Sequence, residues 1–145
     1  MKNLVKQYGI YLAWLQSIIA TGGSLYLSEV LKWTPCILCW YQRILMYPLV
    51  IIIFVGIYLK DKKLPFYVLP LSVPGALMAA YHYLLQKGFL PEEVAPCTLG
   101  ASCEREYICW FGFITIPFLS FVAFTVISVV TYLYFKYTQE KDLEV

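Results

Sequence analysis

The chain has 145 residues, which is one domain's length, and 61% of them are hydrophobic while 14% are charged. A soluble protein is typically about 45–50% apolar and about 25% charged, so this balance places the chain in the membrane class. A net charge of +2, with no basic cluster interleaved with aromatics, excludes a nucleic-acid-binding surface.

Lys2 and Lys6 precede a charge-free run of 22 residues, 7–28. About 20 residues cross the hydrocarbon core, so this run reads as a retained first span rather than a signal peptide. Gly22, Gly23 and Ser24 are expected to admit a close helix neighbour. A short polar connection, 29–35, leads to the second span, 36–59, whose only charge is Arg43. Lys60-Asp61-Lys62-Lys63 forms a tight basic loop before the third span, 64–86. That span carries the only histidine, His82, and Pro70 and Pro74 are expected to kink it. A longer polar loop, 87–109, holds Cys97 and Cys103 and ends at Cys109. The fourth span is 110–135, with Trp110 at its outer interface.

The reading is therefore an all-α polytopic membrane protein: one four-helix domain over 1–145, without repeats. Lys2, Lys6, Lys60, Lys62, Lys63, Lys136 and Lys141 fall on one side, against Lys32, Lys87 and Arg105 on the other. The positive-inside rule makes the richer side cytoplasmic, so both termini are expected inside and all five cysteines at the outer, oxidising face of a cell membrane.

Chemistry concentrates in Trp33-Thr34-Pro35-Cys36-Ile37-Leu38-Cys39-Trp40-Tyr41-Gln42-Arg43. Thr34 as helix cap and Pro35 in the first turn would set Cys36 and Cys39 among unpaired N–H groups, which favour thiolate. Cys36, Cys39 and Arg43 are spaced to share one helix face, with the cation one turn below Cys39. Cys36 and Cys39 admit three readings: half a zinc site, an inert disulfide, or a redox pair. No second ligand pair has zinc spacing, and the helix start, the cation and the oxidising face favour redox chemistry, so no metal is expected. Arg43 is costly in a span and is read as a cation that stabilises an anion, against snorkelling to the surface. His82 lies at the depth of Arg43, and its plain reading is an interhelical hydrogen bond. Cys97 and Cys103 either close a small loop or form a second, exchangeable pair, and Cys109 reads as a buried apolar residue. An aromatic belt accounts for Trp33, Trp40, Tyr41 and Trp110.

From Cys36 through Arg43 the chain resembles the disulfide bond formation protein B (DsbB) family, and within it the short Gram-positive, BdbC-like members. The resemblance covers four spans, the Cys-x-x-Cys opening the second, its downstream arginine, a histidine late in the third, and a cysteine pair before the fourth. It implies a quinone-linked thiol oxidoreductase that reoxidises an extracytoplasmic thioredoxin-fold partner, DsbA-like (BdbD-like). By resemblance Cys39 donates to the quinone and Cys36 is its exchange partner. Cys97 is attacked by the partner and Cys103 resolves toward Cys36, while Arg43 and His82 hold the quinone. Menaquinone is favoured, with ubiquinone possible. The sequence departs from the wider family at Gln42, where many proteobacterial members have an acid, in the short gap between Cys97 and Cys103, and in the extra Cys109. A vitamin-K-epoxide-reductase-like enzyme and a non-catalytic, disulfide-stapled scaffold are the alternatives. In the former family the active pair comes late in the chain.

Overall fold

In the computed structural model the described residues are 2–89 and 114–143, with side chains described over 8–89 and 114–139. They form four helices: α1 (Lys2–Leu25), α2 (Ile37–Leu59), α3 (Leu64–Gln86) and α4 (Ile116–Leu143). A π-helical turn, Tyr26–Val30, continues α1. Four segments are long and apolar enough to cross a membrane: Tyr8–Val30, Ile37–Leu59, Leu64–Gln86 and Ile116–Gln139. The first reaches two residues further than the charge-free run, because the π turn carries helical structure through Glu29. Residues 90–113 lie outside the described residues, and with them most of the expected outer loop and the start of the expected fourth span.

Each helix packs on its neighbours in sequence, and α4 returns onto α1, so the four close into a ring. The diagonal pair α2 and α4 barely meet. Burial is one-sided, as a bundle in lipid requires: Leu49, Ile53, Val68, Ala79 and Ile127 are fully buried, while Ile51, Tyr58 and Leu77 point outward.

Close helix approach does not occur at the expected place. A Cβ on Gly22 or Gly23 would meet nothing within 4 Å, because α1 there borders open space rather than a neighbour. The tight contacts are at Gly56, against the Leu64 side chain, and at Gly75, against the Phe124 ring. Ser128 Oγ, one turn beyond Phe124, donates to Ser72 Oγ at 2.9 Å and ties the same two helices. α2 passes through Pro48 and α3 through Pro70 and Pro74 without leaving the helical state. Missing N–H groups are tolerated in spans where neighbouring groups serve the freed carbonyls.

The start of α2 also differs from the expectation. Cys36 itself is the cap: its backbone is extended at ψ 170° and its sulfur accepts the Cys39 N–H at 3.4 Å. Thr34 and Pro35 therefore lie before the cap, and the span begins one residue later than expected. A sulfur reaches the third N–H of the helix in the way a serine oxygen does.

Two stability measurements follow. Gly75→Ala should lower the thermal midpoint by several degrees in detergent, since a methyl there overlaps a buried ring and overpacking costs about 1–3 kcal/mol. An unchanged midpoint would mean that α3 and α4 do not meet there. In reduced protein, Cys36→Ser should be more stable than Cys36→Ala by about 1 kcal/mol, the usual worth of a cap. Equal midpoints would remove the capping role.

Candidate functional site

Cys36 and Cys39 carry free thiols with their sulfurs 3.0 Å apart. The capping geometry produces this closeness, because it turns the Cys36 side chain back over the first turn, where Cys39 stands. Cys36 is buried, whereas Cys39 is partly exposed. Behind Cys36 stands His82 of α3, buried, with Nε2 3.7 Å from the Cys36 sulfur. Gln42, one turn along α2 from Leu38, is also buried, and its Nε2 lies 3.1 Å from His82 Nδ1. Cys36 also packs with Leu38 and Leu85.

Cys36 precedes the span, and its thiol pKa is lowered. The hydrogen bond with Cys39 is the main cause. Burial opposes it, and His82 and the Cys39 N–H add to the lowering. The sequence expectation favours thiolate at both cysteines, from their place at the helix start. The tertiary neighbours instead gather their donors on Cys36.

Arg43 extends toward α1. Its Nη2 donates to the Ser24 carbonyl at 3.0 Å, and its guanidinium lies 5.5 Å from the Trp40 ring centroid. Ser24 stands where α-helical pairing gives way to the π turn, a feature frequent at functional sites. The charge is thus met inside the bundle by a carbonyl and an aromatic face.

These groups open onto one cavity of about 360 Å³, bounded by all four helices. Cys36, Cys39, Gln42, Arg43 and His82 lie on its wall, and Phe124 closes part of it. Gly23 borders it too, which is why that glycine meets no neighbour. Tyr47, one turn beyond Arg43 on the same face, also lines it, and its buried hydroxyl has no hydrogen-bond partner. The structure thus brings together Cys36, Cys39, Arg43 and His82. Cys97, Cys103 and Cys109 lie outside the described residues.

Two site residues escaped the sequence reading. Gln42 registered only as a departure from a family pattern, although its spacing from Cys39 puts it on the same helix face. Tyr47 was one aromatic among many; its i+4 relation to Arg43 was the available signal.

Among the described residues Cys36, Cys39 and His82 form a group able to hold a metal, with ligand atoms within 4.8 Å of one another. Two thiolates bound to one tetrahedral zinc, each about 2.3 Å from it, stand roughly 3.8 Å apart. The 3.0 Å pair is set closer than that, for bonding between its own sulfurs.

The profile of the family described as disulfide bond formation protein DsbB matches residues 6–134. The chain is similar to disulfide bond formation protein C of Bacillus subtilis, with 49% identity over 131 residues, covering 89% of this chain and 92% of that protein. It is 44% identical to probable disulfide formation protein C 1 of Bacillus anthracis over 136 residues, covering 90% and 94% of the two. A probable disulfide formation protein C of Halalkalibacterium halodurans is 46% identical over 117 residues, covering 81% and 85%. No solved structure matches the chain. Making a disulfide from two thiols removes two electrons, and a close pair of free thiols on a four-span bundle fits that work. The chain belongs to the DsbB family of disulfide-forming membrane oxidoreductases.

Proposed function

We propose that this protein takes electrons from a thioredoxin-fold dithiol oxidase outside the membrane, DsbA-like (BdbD-like), and delivers them to a membrane quinone, with menaquinone favoured over ubiquinone. The observation that carries the reading is the opening of the Cys36–Cys39 pair onto a cavity that also holds Arg43. The cavity volume of about 360 Å³ lies within the usual range for small-molecule sites, roughly 300–1,000 Å³. Its wall offers the donors that quinone oxygens need: the guanidinium of Arg43 and the unpartnered hydroxyl of Tyr47. The residues present fit the group.

Each disulfide made releases two electrons and two protons, and a quinone bound in the cavity supplies the acceptor for both. The chain's own residues do the rest. On the family pattern, the partner's thiolate attacks the Cys97–Cys103 disulfide, and the released thiolate attacks the Cys36 sulfur. The Cys36–Cys39 bond then breaks, and Cys39 leaves as a thiolate at the cavity wall. Arg43 favours negative charge there because its guanidinium stays protonated. The apolar side chains around the cavity keep water from competing for these charges. On the expected topology, all of this takes place at the extracytoplasmic face.

The direct test is to extract quinone with the purified protein and follow its reduction as reduced partner is added. Reduction in step with partner oxidation is expected, and protein that oxidises its partner while its quinone stays oxidised would refute the reading. Arg43→Ala should raise the apparent KM for quinone at least tenfold and leave thiol exchange with the partner nearly unchanged. His82→Ala should give a milder rise, because the His82 ring lines the cavity while both its nitrogens are engaged by Cys36 and Gln42. Equal losses in both half-reactions for Arg43→Ala would make that residue structural.

A further inference from the structure

His82 touches Cys36 through one ring nitrogen and Gln42 through the other. An imidazole held at both nitrogens has its proton placed by its neighbours. The Gln42 amide nitrogen faces Nδ1 at 3.1 Å, and an amide nitrogen only donates. Nδ1 is therefore the bare, accepting nitrogen, and the ring proton sits on Nε2. Nε2 is the atom 3.7 Å from the Cys36 sulfur. The sulfur thus receives two donors, Nε2–H of His82 and the backbone N–H of Cys39 at 3.4 Å.

We propose that Gln42 is a positioning residue that fixes the His82 tautomer with its proton on Nε2, and that this hydrogen bond makes Cys36 the stabilised thiolate of the reduced pair. Gln42 touches neither sulfur; it acts through the ring. The identity of the residue decides the outcome. A carboxylate at position 42 would only accept, and would draw a proton onto Nδ1. A hydrocarbon would leave the ring to share its proton between the two nitrogens. The amide NH₂ facing Nδ1 leaves Nε2–H as the donor aimed at Cys36. Gln42 and His82 are 5% and 2% exposed, so both bonds lie inside the bundle.

The consequence rests on the proposed electron-transfer reading. In the return half of the cycle, an outer thiolate attacks the sulfur joined to Cys36. A new S–S bond forms outside, the old one breaks, and Cys36 departs with the electron pair. No proton moves in that step, so its ease depends on how well the departing thiolate is held. Two donors already aimed at the sulfur hold it without rearrangement.

The test needs neither quinone nor partner, so it stands or falls apart from the electron-transfer reading. His82 is the only histidine in the chain, and ¹⁵N-histidine labelling of the full-length protein in detergent therefore reports a single ring. Reduced wild-type protein at neutral pH should show a protonated Nε2 and a bare Nδ1. Gln42→Leu should average the two nitrogens, and Gln42→Glu should move a proton onto Nδ1. In parallel, the pH at which iodoacetamide labelling of the Cys36 peptide, read by mass spectrometry in reduced protein, is half-maximal should rise in Gln42→Leu by an amount equal to about a fivefold change in proton affinity. That factor is the usual net worth of one hydrogen bond. Thermal midpoints identify any variant that fails to fold, and the wild-type spectrum alone decides the tautomer. A wild-type ring protonated on Nδ1 overturns the proposal. So does a folded Gln42→Leu protein with an unchanged ring spectrum or unchanged Cys36 labelling.

Discussion

A charge inside a membrane helix must find partners within the protein, and Arg43 shapes the Cys36 end of this bundle through that need. Insertion scales put the cost of such a residue at about 2.5–3.5 kcal/mol at a helix centre. The cost is reduced here by the Ser24 carbonyl and the face of Trp40. Meeting that carbonyl draws α2 toward the end of α1, where the helix has widened into a π turn. The guanidinium then spans the gap between two helices without filling it. The cavity is what remains of that gap.

The rest of the bundle closes around it by size. Gly75 lets the Phe124 ring lie against the backbone of α3, and that ring forms part of the cavity boundary. Further along, Gly56 admits Leu64, and the core becomes continuous through Leu49, Ile53 and Val68. Small residues thus seal the interior where packing must be tight. The glycines of α1 do the opposite, since Gly23 leaves room at the cavity wall. One residue type serves two purposes because a missing side chain either invites a neighbour or leaves space, and the surrounding helices decide which.

A second network sits beside the cation. Cys36, His82 and Gln42 hydrogen-bond in a chain at the cavity wall. Buried polar groups are costly unless paired, so each member holds the others in place. Two charge-favouring features therefore stand at one helix start: the cation bordering the cavity and the donors gathered on Cys36. They divide the pair, one sulfur held by the protein and the other facing the space.

The four spans, the Cys-x-x-Cys at the head of the second, and the candidates Cys36, Cys39, Arg43 and His82, which packing brings to one cavity, were all legible in the sequence. Those properties follow from run length, from the rarity of charge in lipid and from spacing along one helix, all of which are local. The sequence put the cap at Thr34 rather than Cys36, because a cysteine sulfur and a threonine oxygen are both near in the chain and only the backbone angle chooses between them. It misplaced the close helix contacts, since a glycine's neighbour lies on another helix. It favoured thiolate at both cysteines alike, because the helix start is local, whereas His82 is 46 residues from Cys36 and reaches its sulfur only through packing. The tertiary structure alone decided which sulfur is held, which glutamine orients the histidine, and that Tyr47 brings an unpartnered hydroxyl to the cavity wall.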